Sequence, residues 1–163
     1  MRKVILLISL SVLFSFKLNS KVFVFDECKL SESKEQYLVE KENKRIEDLI
    51  TTRRNVTIII IARIESNFNH TAFNPLEEAA GMFQIRPVMV REVNRLLGCE
   101  KYSLNDRYSI SSSIDMFVDY NEIVNPEWDY ERAARLWNGG ITGMKKKSTD
   151  VYWSNFLSYL SAT

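Results

Sequence analysis

The sequence predicts a mainly α-helical domain whose helices are joined by long loops. Apolar residues recur at helical spacing in successive stretches after residue 45, and the breakers Pro87, Gly98, Pro126 and Gly139-Gly140 stand at the ends of those stretches rather than inside them. A length of 163 residues with 45% hydrophobic and 26% charged side chains, and only five Gly and three Pro, suits one compact domain and excludes a low-complexity or collagen-like polymer.

Taken in order, Arg2 and Lys3 precede an apolar run from Val4 to Phe16 that closes in the polar stretch 17–20. That is the pattern of an export signal, cleaved or kept as a signal anchor, and it falls short of the roughly 20 apolar residues of a typical spanning helix. Residues 1–20 are therefore set apart, 21–44 form a charged N-terminal segment and 45–163 form the domain. Within the segment, Lys21 to Phe25 reads as a short strand, and the Glu- and Lys-rich stretch from Ser31 to Lys44 as a solvated tether or surface helix. From Arg45, Ile46, Leu49 and Ile50 fall at helical spacing. The four isoleucines 58–61 fit a buried strand or a helix, and the run Ala62-Arg63-Ile64-Glu65-Ser66 after them favours the helix.

Residues 67–81 show no sustained period and contain Asn69, Asn74, Pro75 and Gly81, so a long loop is expected there. Pro87 opens the next helix as a first-turn proline, Met89, Val93, Leu96 and Leu97 mark its apolar face, and Gly98 ends it. After a polar loop over 100–109, Ile114, Phe117, Tyr120 and Val124 mark a helix that Pro126 ends. Tyr130, Ala133, Ala134 and Trp137 mark one more, stopped at Asn138-Gly139-Gly140, and Val151, Phe156, Leu157 and Leu160 the last.

Charge narrows the function. With 22 Lys and Arg against 21 Asp and Glu the net charge is +1, and it falls to −2 once Arg2, Lys3 and Lys17 leave with the signal. No basic surface is available to hold nucleic acid. Two cysteines and one histidine without close spacing do not supply a structural zinc site, and no metal or cofactor is expected. In an oxidising compartment Cys28 and Cys99 can pair, tying the N-terminal segment to the domain; each is equally a small buried hydrophobe, and neither carries catalysis.

Glu65 closes the most apolar helix. Burial against Ile60, Ile61 and Ile64 would raise its pKa, as would the helix C-terminus, and a carboxyl kept protonated near neutral pH is a general acid. Helix periodicity alone favours a solvated residue paired with Arg63 or Arg91. The surrounding residues reverse that balance. Glu65-Ser66-Asn67-Phe68-Asn69, then Ala80-Gly81-Met82-Phe83-Gln84-Ile85 with Pro87 soon after, then Ala133 to Gly140, and finally Tyr152 in the last helix resemble in order the motifs of the soluble lytic transglycosylases, which share the lysozyme-like fold with the goose-type lysozymes. The resemblance runs from about Ile58 to Leu160. It departs at Trp137, where the family usually has Tyr, at Phe83 where it has Met, at Gly139 where it has Ala, and at Pro75 and Glu78, where many members have Ser and Gly.

The resemblance implies a lysozyme-like helical domain with long loops lining a glycan cleft, exported to the periplasm or cell envelope and acting on peptidoglycan strands. Glu65 would be the catalytic acid, cleaving after N-acetylmuramic acid with 1,6-anhydro ends and no second catalytic carboxylate. Ser66 would bond the acid or cap a turn; Gln84 and Asn138 would hold N-acetyl groups and hydroxyls; Tyr152 would bond the acetamido oxygen or Glu65. Met82 and Trp137 would floor the cleft, while Phe83 belongs to the core and His70 has no role. Glu77 and Glu78 are expected at a solvated loop edge, with a water-holding role in an inverting hydrolase as their alternative. A lysozyme-type hydrolase using Glu65 and a non-catalytic glycan-binding protein are the competing functions. The small size suits wall opening for a secretion or conjugation apparatus, or phage lysis, with the membrane involved only through an uncleaved signal.

Overall fold

The computed structural model describes residues 23–162, with side chains from Ser33 onward. The export-signal run and Lys21-Val22 lie outside the described residues, as does the side chain of Cys28. The chain divides into two compact units, one ending at Asn43 and one beginning at Lys44. Helix α1, Phe23–Ser66, is continuous. The strand read over 21–25 is therefore not formed, since Phe23, Val24 and Phe25 are helical. A five-residue run with no partner strand cannot pair its backbone groups, and the good helix formers that follow allow a helix to pair them internally. Every side chain from Ser33 to Leu49 is exposed, which is how a Glu- and Lys-rich helix keeps its charges hydrated.

Past Ile50 the same helix enters the core. The four isoleucines are helical, Ile60 and Ile61 buried and Ile59 exposed. Around them lie α2 (Pro87–Leu97), α3 (Ile110–Val124), α4 (Tyr130–Gly139) and α5 (Asp150–Leu160). Local chemistry fixes their ends. Pro87 takes the first turn of α2 and Gly98 its left-handed cap; the Ser109 hydroxyl accepts from Ser112 N at 3.3 Å to start α3, and the Asp129 carboxylate from Arg132 N at 2.8 Å to start α4. Among the described residues no helix is long and apolar enough to cross a membrane.

An aromatic cluster joins α3 and α4 to the segment before α2. Phe83 stacks on Phe117 with centroids 5.0 Å apart, and Trp137 meets Phe117 edge-on at 4.7 Å. Such pairs add about 0.5–1.5 kcal/mol beyond their burial. Phe83 is fully buried, as a core residue should be.

The loop over 67–81 contains a small hairpin that the sequence pattern did not reveal. Strand β1, Phe73–Asn74, pairs antiparallel with β2, Ala79–Ala80, in the register Phe73 to Ala80 and Asn74 to Ala79. Two residues per strand are too few to show an alternating pattern. Arg107, buried in the 3-10 turn Leu104–Tyr108, holds this hairpin by donating to Glu78 O at 2.7 Å, Ile85 O at 3.1 Å and Leu104 O at 2.8 Å. Gly81 rests on the other side of that anchor. Its φ is +76°, and a Cβ there would overlap the Arg107 carbonyl. We expect Gly81→Ala to destabilise the domain by more than about 2 kcal/mol, since it adds left-handed strain to a backbone collision. Urea denaturation checks this, and an unchanged midpoint would mean that the close approach does not exist.

Candidate active site

Glu65 sits in the last turn of α1, where the helix leaves the core, and is half-buried at the wall of a cleft of about 270 Å³. Asn74 and Glu77 from the hairpin, Gln84, Ile85, Arg86 and Met89 from the motif leading into α2, and Trp137 and Asn138 from the end of α4 complete that wall. Three segments far apart in sequence thus converge on one carboxyl. Tyr152 reaches it from α5, its phenol donating to Glu65 Oε1 at 2.7 Å.

Burial raises the Glu65 pKa from 4.5 to about 7. The Tyr152 hydrogen bond, the nearby Arg86 cation and the Trp137 indole act against it, while the Glu77 charge adds to it. The carboxyl is poised to give and retake a proton near neutral pH. The Tyr152 hydroxyl is itself held well above its usual range by burial and by the Glu65 charge, so it stays a donor.

The other predicted positions divide. Gln84 lies in the cleft with a left-handed backbone (φ +47°), and its amide donates to Gly81 O at 2.9 Å, which leaves its carbonyl oxygen for a ligand. A non-glycine residue in that region is strained, and such strain collects at functional sites. Asn138 lies exposed at the cleft, its backbone oxygen accepting from Arg86 Nη2 at 3.2 Å. Trp137 serves two purposes, lining the cleft while only 4% exposed within the aromatic cluster.

Two expectations need correction. Met82 is buried in the hydrophobic core and does not line the cleft, because the turn through Gly81 aims it inward. Ser66 does not bond the acid. Its hydroxyl donates to Met82 O at 2.8 Å, pinning the end of α1 to the segment carrying Gln84. Both loop carboxylates are exposed as expected, Glu78 with φ +52°, and Glu77 also lines the cleft. His70 and Cys99 are exposed, the latter a free thiol.

Sequence reasoning missed Arg86 and Asn74. For Arg86 a signal existed. A residue before a first-turn proline is held extended, and Arg86 has φ −82° and ψ 153°, which places it between the Gln84-Ile85 motif and α2 at the lip of the cleft. Its guanidinium stands 4.0 Å from the Glu77 carboxylate. Among the described residues no three His, Cys, Asp or Glu side chains cluster as metal ligands.

The family model described as "Transglycosylase SLT domain" matches residues 49–157. The chain belongs to the SLT transglycosylase family. No curated protein matches it. The matched span starts in α1 just before that helix enters the core and ends within α5, so it includes every element that forms the cleft. SLT domains form a peptidoglycan-acting, lysozyme-like family, and the mainly helical architecture here agrees with that membership.

Two outcomes follow for Glu65. The unfolded carboxyl ionises near 4.5 and the folded one near 7, so this side chain's contribution to stability falls as pH rises between those values. Above them the cost is at most about 3 kcal/mol. Glu65→Gln should melt with the parent at pH 4 and above it at pH 8, and scanning calorimetry at both pH values measures the gap. Tyr152→Phe removes a bond to the ionised form. It should push the Glu65 pKa higher, which a titration followed by carboxyl NMR reads directly.

Proposed function

We propose that the protein is a lytic transglycosylase that cleaves the β-1,4 bond between N-acetylmuramic acid and N-acetylglucosamine. One observation carries the reading: a single half-buried carboxyl, Glu65, holds its proton to about pH 7 inside a cleft of SLT-family residues and is positioned by Tyr152. Glu65 gives its proton to the bridging oxygen as the bond to C1 breaks. As carboxylate it then takes the proton of the same sugar's 6-hydroxyl while that oxygen bonds to C1, and a 1,6-anhydro end results. The attacking group belongs to the substrate, so one carboxyl serves as acid and then as base. Gln84 and Asn138 supply amide groups for N-acetyl and hydroxyl contacts, and Trp137, though largely buried, lines the cleft beside them. No metal or cofactor takes part in the scheme. The basic and apolar residues 2–16 support export, so we place the reaction in the periplasm or cell envelope.

A lysozyme-type hydrolysis is the second reading, favoured by Glu77. It lines the cleft with Glu65, and a paired carboxylate can activate a water. Digestion of purified sacculi with the full chain separates the two, because anhydro and reducing ends differ in mass by one water. Anhydro products are expected. Reducing ends would establish the hydrolase, and intact sacculi a binding protein. Glu65→Gln should lower the rate by about 10²–10⁴, the usual worth of a general acid, and the activity of the parent should fall above pH 7 as the acid ionises. Folded Glu65→Gln protein with parental activity would remove Glu65 from the mechanism.

A further inference from the structure

The chain between α4 and α5 gathers charge and apolar exposure that the cleft does not use. Residues 141–147 carry Ile141 and Met144 followed by Lys145, Lys146 and Lys147, so three of the five lysines from residue 44 onward stand side by side. Apart from them, residues 44–163 hold 12 Lys and Arg against 15 Asp and Glu, a net acidic remainder. All three lysines are exposed, and Ile141 and Met144 are 60% and 44% accessible.

The run is fastened from beneath. Gly143 is buried so closely against α4 that a Cβ there would overlap the Arg135 carbonyl, and the buried Thr149 hydroxyl bonds Gly143 O at 3.0 Å and Lys146 O at 2.7 Å. Lys146 ties back to Gly139 O at 2.6 Å. Ile141 and Met144 are thus held outward by an anchored backbone. Among the described residues neither Lys145 nor Lys147 meets a carboxylate at ion-pair distance, and Asp150, the nearest acid in sequence, is bound by Arg135 at 2.6 Å. Glu127 and Asp129 share a hollow with Met144, and Arg132 stands there with them.

A surface that meets only water gains nothing from exposed apolar side chains set beside lysines, whereas a surface that meets a bilayer does. Ammonium groups bind the phosphates of anionic headgroups, and apolar side chains enter the boundary between headgroups and acyl chains. An acidic polymer would use the charges alone, and three lysines beside a net acidic remainder hold it weakly. The place of the run in the chain adds a consequence. Asn138 lines the cleft and Ile141 follows it by three residues, at most about 11 Å along the backbone. A membrane that takes up the run holds the cleft beside it.

We propose that residues 141–147 are a docking surface for a bilayer containing anionic phospholipids, with Lys145 and Lys147 on headgroup phosphates and Ile141 and Met144 inserted between lipids. The choice of a bilayer rests on the envelope location proposed above, while the contact itself needs no turnover. Docking keeps the cleft next to the membrane and directs it to the strands nearest that surface.

The test is co-sedimentation of the full chain with vesicles of phosphatidylcholine, alone or mixed with phosphatidylglycerol, at low salt. The parent should partition about tenfold or more strongly onto the mixed vesicles. Lys145→Gln with Lys147→Gln should weaken binding to the mixed vesicles by about 30-fold, since each lysine near an anionic surface is worth about a factor of five, and should leave binding to phosphatidylcholine unchanged. Ile141→Ser with Met144→Ser should weaken binding to both. Residues 1–20 are the same in every protein compared, so their own affinity for lipid cancels from these ratios. Equal parental partition onto the two vesicles, or folded lysine variants that bind mixed vesicles as the parent does, overturns the proposal. So does a soluble polyphosphate that binds as tightly as the mixed vesicles and ignores the serine substitutions, and so does a lipid-free dimer in sedimentation velocity that the same substitutions dissociate. Circular dichroism melts of the lysine variants should match the parent, as should their cleavage of soluble glycan strands. Vesicle binding without any strand cleavage refutes the reaction and keeps the docking surface, whereas cleavage by a chain whose lysine variants bind like the parent does the reverse.

Discussion

A carboxyl that is both withdrawn from water and open to a cleft constrains this domain more than any other group. Glu65 meets the requirement at the point where α1 passes from core to cleft, with Ile60 and Ile61 buried one turn before it and Asn67 exposed just after it. Its bond to Tyr152 spans 87 positions of sequence, so the acid is oriented only once α5 has docked. Docking depends in turn on Arg135 of α4, which binds Thr149 Oγ1 at 2.9 Å and Asp150 at 2.6 Å at the start of α5. The geometry of the cleft carboxyl is therefore a property of the closed fold and not of any one motif.

The same economy appears where the chain departs from its family pattern. Gly139 replaces the usual Ala, and a Cβ at that position would collide with the Thr149 methyl. Thr149 is fully buried and donates to Gly143 O and Lys146 O, at 3.0 and 2.7 Å, so it has no room to move aside. The smaller residue at 139 is the counterpart of that packed threonine. Phe83, standing where Met is usual, gains a flat face that stacks on Phe117. Glu78, where glycine is common, keeps the left-handed turn that glycine adopts without strain and accepts its cost of roughly 1 kcal/mol, offset by the Arg107 bond to its carbonyl.

The helices were legible because their ends carry local chemistry. Pro87 and Gly98 bracket α2, and the apolar spacing of α3 and α4 matches the faces they bury, whereas in α5 Phe156 is buried but Val151 and Leu157 are exposed. Glu65 was legible through the motifs around it, since helix periodicity alone favoured a solvated residue there. What did not show were features created by distant contacts. The inward turn of Met82 depends on Gly81 lying against Arg107, and the Ser66 hydroxyl finds Met82 O, 16 positions away, rather than the neighbouring carboxyl. The hairpin is held by Arg107, whose buried role no spacing announces. Lys21 to Phe25 misled because β-prone residues have strand meaning only beside a partner strand.

Arg86 and Glu77 show why the burial of Glu65 has to dominate its titration. The two side chains act on the acid in opposite directions, Arg86 favouring its ionised form and Glu77 its protonated form. They face each other at 4.0 Å, and their opposite effects on Glu65 partly cancel. A charged group brought into the cleft upsets that balance. An anion bound to Arg86 cancels the cation and leaves Glu77 unopposed, which raises the pKa of the acid at the moment when it must hold its proton.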